Sequence, residues 1–72
     1  MLTFKRISEE NGVLIYEFYP NGDTSVPGIV EFKKGEKPRL IQDSEIDVKM
    51  YYAIHALWGI DITKESGTVA WC

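Results

Sequence analysis

Acid–base and nucleophilic chemistry has two natural carriers in this chain, one histidine (His55) and one cysteine (Cys72). A thiol beside an imidazole is a nucleophile with its base. The positions argue against that use. Cys72 is the last residue of the sequence, beside a carboxylate that disfavours the thiolate and at an end prone to fraying. His55 falls in a helical pattern, opposite a stripe of Ile46, Met50 and Leu57 and beside Val48 and Tyr52. There it reads as an exposed or half-covered helix histidine near a C-terminus, where its positive form is favoured. No acid, base and nucleophile converge. The expectation is a non-enzymatic protein with no catalytic residue, cofactor or metal.

Two charged groups remain. Asp43, Glu45 and Asp47 resemble a cation cluster, but the spacing of a calcium loop is absent. Three acids at a helix start instead suit the positive end of its dipole. Lys33, Lys34, Lys37 and Arg39 form a basic run broken by Glu36. No aromatic residue interleaves the lysines, so they offer no platform for stacking bases. They read as a solvated hairpin tip whose lysines guard an edge strand. Neither a glycine-rich phosphate loop nor a nucleophile elbow occurs.

The elements that hold these residues must come from one small core. The chain has 72 residues, of which 44% are apolar and 26% charged, which excludes disorder and leaves room for a single domain over residues 1–72. No apolar run approaches the ~18 residues of a membrane span, and the N-terminus lacks the apolar stretch of a signal peptide. One cysteine makes no internal disulfide, so a cytoplasmic protein stabilised by packing is expected. So short a chain buries only about 60% of its unfolded surface, which makes oligomerisation a natural support. Residues 1–42 balance six basic against six acidic side chains, whereas residues 43–72 carry two against five. The net charge of −3 disfavours nucleic acid and anionic membranes as partners.

Strands are expected first. Leu2 to Ile7 alternates, Ser8 to Gly12 is a polar turn ending in Asn11-Gly12, and Val13 to Tyr19 is rich in β-branched and aromatic residues. Pro20 to Asp23 is a second turn around Asn21-Gly22. The next strand is interrupted by Pro27-Gly28, which implies an edge, a bulge or a start at Gly28, with Ile29 to Phe32 secure. Lys34 to Pro38 turns the chain into a short strand, Arg39 to Gln42.

The period then changes. Ser44 followed by Asp47 is close to a capping box and predicts a helix beginning there. Ile46, Met50, Ala53, Ile54 and Leu57, flanked by Tyr51 and Trp58, form its apolar stripe. Gly59 stands where a left-handed C-cap belongs, with Ile60 as its apolar contact. Thr68 to Cys72 reads as a last strand. The expected fold is α+β in two layers. An antiparallel meander of four to five strands carries one helix on one face, in the order β-β-β-β-α-β. Leu2, Phe4, Leu14, Tyr16, Phe18, Val30 and Phe32 are the expected core beneath the helix.

Four segments run through nearly the whole chain: Tyr16 to Gly22, Pro27 to Val30, Tyr52 to Leu57 and Gly67 to Trp71. Together they resemble small proteins of low-GC Gram-positive bacteria and their phages that carry no assigned activity. The resemblance implies a cytoplasmic single-domain protein and transfers no functional residue.

One helix covers one sheet face. The other face should carry Val13, Ile15, Tyr19, Ile29 and Ile41, interrupted by Glu17 and Glu31, and these five apolar residues are the candidate interface. Trp58, Trp71 and the four tyrosines exceed what a small core needs, and aromatic surplus is typical of binding surfaces. The expected function is a protein-interaction module that self-associates, as a homodimer or higher oligomer. The alternative is a phage- or plasmid-type regulatory accessory acting on a protein or nucleic-acid complex.

Overall fold

The structure is a computed structural model that describes residues 1–71. Cys72, with the expectations placed on it, lies outside the described residues. Five strands and one helix follow the expected order: β1 (Leu2–Glu10), β2 (Val13–Pro20), β3 (Gly28–Lys33), β4 (Arg39–Gln42), α1 (Tyr51–Gly59) and β5 (Ser66–Val69). The strands form one antiparallel sheet in the order β4-β3-β2-β1-β5, with α1 across one face. The architecture is α+β.

Local chemistry explains the first hairpin. Asn11 and Gly12 both take positive φ, 52° and 79°, as a tight two-residue turn requires. Glu10 therefore pairs directly with Val13, and β1 runs through Ser8, Glu9 and Glu10 instead of ending at Ile7. A bulge between Arg6 and Ser8 absorbs Ile7. At the second Asn-Gly the chain turns but does not pair at once, because β3 starts only at Gly28. Gly28 faces Phe18 across the β2–β3 ladder, and any β-carbon there would overlap the Phe18 ring. β3 is an interior strand, so Pro27 sits just outside it, where its missing N–H costs no ladder bond.

Alternation along β1, β2 and β3 sends Leu2, Phe4, Tyr16, Phe18 and Val30 under the helix, where all are buried with Ala53, Ala56 and Ile60. Leu14 and Phe32 pack at the margin. Tyr16 meets Phe4 and Phe32 edge-on, with ring centres 5.7 and 5.6 Å apart. Its hydroxyl donates to the Lys64 carbonyl at 2.7 Å and accepts from Arg6 Nε at 3.2 Å. A second Arg6 nitrogen donates to the Ile62 carbonyl. Arg6 and Tyr16 thus satisfy the backbone of the connection that leads from α1 to β5.

That last strand comes earlier than expected. It is Ser66–Val69, paired with Leu2 to Lys5, and Trp71 leaves the sheet to pack against α1. No described helix is long and apolar enough to cross a membrane.

Candidate functional site

The helix start corrects the sequence expectation. α1 begins at Tyr51, and residues 43–50 form turns. Ser44 is not its cap. The Ser44 side chain is buried, and its hydroxyl donates to the carbonyl of Val26, tying this segment to the β2–β3 connection. The cap comes from Asp47, whose two carboxylate oxygens accept from the Tyr52 and Ala53 amides at 2.8 and 2.9 Å. These are first-turn donors with no partner inside the helix. Lys49 and Met50 take left-handed φ values of 55° and 59°, which break any helix running in from Ile46. Asp43 lies against Asp47. Burial, then its hydrogen bond with Asp47, push the Asp43 carboxyl up to about 6, against the pull of the Ser44 amide it accepts.

The late start rotates the helix relative to the predicted stripe. Ala53 and Ala56 face the sheet, one turn apart, with Tyr52 and Leu57 half-buried beside them. Small side chains let the helix backbone approach the aromatic floor closely. Met50 and Ile54, expected inside, are exposed, as is Ile46 in the preceding turns. Gly59 does not take a left-handed conformation. It is required for another reason, since a β-carbon there would lie 2.6 Å from Val69 Cγ1.

What faces water from α1 is Tyr51, Ile54 and Trp58, neighbours at helical spacing, exposed by 49%, 49% and 74%. Between Lys49 and Asp61 the chain has no charged residue. A surface helix ordinarily shows a charged outer face, and one apolar all round is ordinarily covered on all sides. With Met50 and Val48 alongside, the exposed side chains make an apolar patch on the order of 500 Å², in the range that marks interaction sites. One flank of the patch is an aromatic cluster. His55 stacks on Trp71, ring centres 3.8 Å apart and planes 4° from parallel, and the Trp71 indole donates to the Tyr51 hydroxyl at 2.6 Å. His55 is thus a packing residue on the helix flank, with no carboxylate among its described partners.

The opposite sheet face holds the predicted interface residues in a different setting. Val13, Ile15 and Tyr19 do lie on it, and the β2–β3 register sets Ile29 on the same side. Charges separate them. Ile15 pairs with Glu31, Glu17 pairs with Ile29, and Val13 pairs with Lys33. Arg39 and Lys33 clasp Glu31 at 3.4 and 3.8 Å, leaving its side chain 13% exposed. Tyr19 donates to Glu17 at 2.8 Å; burial first, and then this bond, push its phenol up to about 12. All four apolar residues are half-buried among these groups. Ile41, at a bulge in edge strand β4, is the exposed member.

No family of known proteins, no curated protein and no solved structure matches the chain.

The geometry itself thus carries the reading. Sequence reasoning noted the aromatic surplus but turned Ile54 and Met50 inward. The signal that would have found the site is the charge-free stretch from Met50 to Ile60, too apolar for a helix with only one buried face.

Proposed function

We propose that this protein is a non-enzymatic protein-interaction module that self-associates through the outer face of α1. The observation carrying this reading is an uncharged helix that presents Tyr51, Ile54 and Trp58 to solvent. A two-fold pair sets a surface against itself, so that surface must not repel its own copy. A charge-free face meets that condition. Antiparallel apposition of two such helices also opposes their dipoles and brings Lys49 of one copy towards Asp61 of the other. Two patches pressed together bury about 1,000 Å², the lower bound for a specific interface. The lone cysteine supports a cytoplasmic setting, since stability rests on packing and not on disulfides.

Sedimentation equilibrium across protein concentration tests the reading. A mass that rises towards the dimer, and falls to the monomer in Trp58→Lys with the fold intact by circular dichroism, is the expected result. Dissociation by Ile15→Glu and not by Trp58→Lys moves the contact to the sheet face. A monomer at every concentration overturns self-association.

A further inference from the structure

Only one side chain in the uncharged stretch from Met50 to Ile60 can acquire a positive charge, and that is His55. Histidine gains its charge between neutral and mildly acid pH. The His55 ring is half-buried on the outer flank of α1, one turn after Tyr51, with the two ring centres 4.9 Å apart. At helical spacing it also neighbours Trp58. A proton on His55 therefore puts a charge at the edge of a patch that otherwise has none.

Its surroundings within one copy supply no counter-charge. His55 packs on the rings of Tyr51 and Trp71 and makes no ion pair among the described residues. β5 carries no charged residue, and Glu17, Glu31, Lys33 and Arg39 of β2, β3 and β4 lie on the other sheet face. At the helix start Asp47 is committed to the Tyr52 and Ala53 amides, with Asp43 against it. Lys49 and Asp61 bound the uncharged stretch at its two ends. A single copy still accommodates the proton, because the face of the Trp71 indole attracts a cation.

Two apposed copies do not accommodate it. Lys49 and Asp61 each stand six positions from His55. An antiparallel pair that sets Lys49 opposite Asp61 therefore has its two-fold axis at the level of His55, and each imidazole lies level with its counterpart. Neutral rings enter such a surface without penalty. Protonated ones bring like charges together in a surface that is leaving water, with no carboxylate to compensate either. We infer, on the reading that the outer face of α1 self-associates, that protonation of His55 switches this association off, so that the protein pairs at neutral pH and separates in mild acid. The sign follows from linkage, since the separated chains hold protons that the pair excludes, and falling pH then favours separation.

The test is sedimentation equilibrium of the full chain at about pH 7.5 and about pH 5.5, with circular dichroism to follow the fold at both. The dimer dissociation constant is expected to rise about tenfold in acid. His55→Phe keeps a ring to stack on Trp71 and should pair equally at both pH values. His55→Lys imposes the charge without acid and should pair weakly at both. A dimer that acid leaves unchanged or strengthens overturns the switch while self-association stands. So does a His55→Lys chain that pairs as tightly as the unsubstituted one. Acid dissociation that persists in His55→Phe assigns the effect to another group, such as Asp43, and overturns it as well. A monomer at both pH values overturns self-association itself, and the switch with it.

Discussion

The Trp71 indole lies flat on the His55 imidazole, 3.8 Å between ring centres, while its nitrogen donates to the Tyr51 hydroxyl. One side chain just beyond β5 thus spans a full turn of α1 and fastens the segment after β5 to the helix. Trp71→Ala should cost about 2 kcal/mol, from lost burial and aromatic contact. His55→Phe keeps a stackable ring and should leave stability within about 0.5 kcal/mol. Urea unfolding midpoints of the two variants check this contrast.

Asp47 is the helix cap. Asp47→Ala leaves two amides of α1 without their acceptor and should lower stability by about 1–2 kcal/mol. Asp47→Asn retains one acceptor oxygen and should lose less. Ser44→Ala should also destabilise, by about 1 kcal/mol, because it removes the hydrogen bond of a buried hydroxyl to the part-buried Val26 carbonyl. Only the Asp47 variant should reduce helical ellipticity ahead of global melting.

Gly59 and Val69 are coupled sterically. Gly59→Ala places a methyl 2.6 Å from Val69 Cγ1 and should cost about 1–3 kcal/mol. Combined with Val69→Ala, which removes the obstructing methyl, it should cost markedly less than the sum of the single changes. A double-mutant cycle measures the difference. Strict additivity would mean that the contact with Val69 is not what the added methyl costs.

Asp43 should make the protein more stable in mild acid. Its carboxyl sits at about 6 in the folded chain, above the ordinary 3.8, so the folded state holds the proton more tightly than the unfolded one. Stability therefore falls as pH rises through that interval. Asp23 and Asp61 are held below the ordinary range by Ser25 and Thr63, so their contribution is lost only at lower pH. Asp43→Asn should flatten the melting temperature between pH 4 and pH 6 and raise it at pH 7. Thermal melts across that range decide it.

The strands were legible because their causes are local. Asn11-Gly12 needs no distant contact to turn, and alternation along Val13 to Tyr19 assigns each side chain to a face once any sheet forms. The order of elements and most of the core follow from those two facts. Much of the site residues' chemistry was present as well, since the lack of charge from Met50 to Ile60 is a property of the sequence alone. Which of those residues faces water was a tertiary decision. A periodic apolar run from Ile46 to Trp58 is compatible with more than one helix start. The choice fell to Ser44 bonding to Val26, 18 residues away, and to Asp47 reaching into the first turn. Side chains of Ser and Asp compete with the helix for backbone partners, and a contact from another part of the chain settles that competition. Once α1 began at Tyr51, two alanines met the sheet and Tyr51, Ile54 and Trp58 were turned outward.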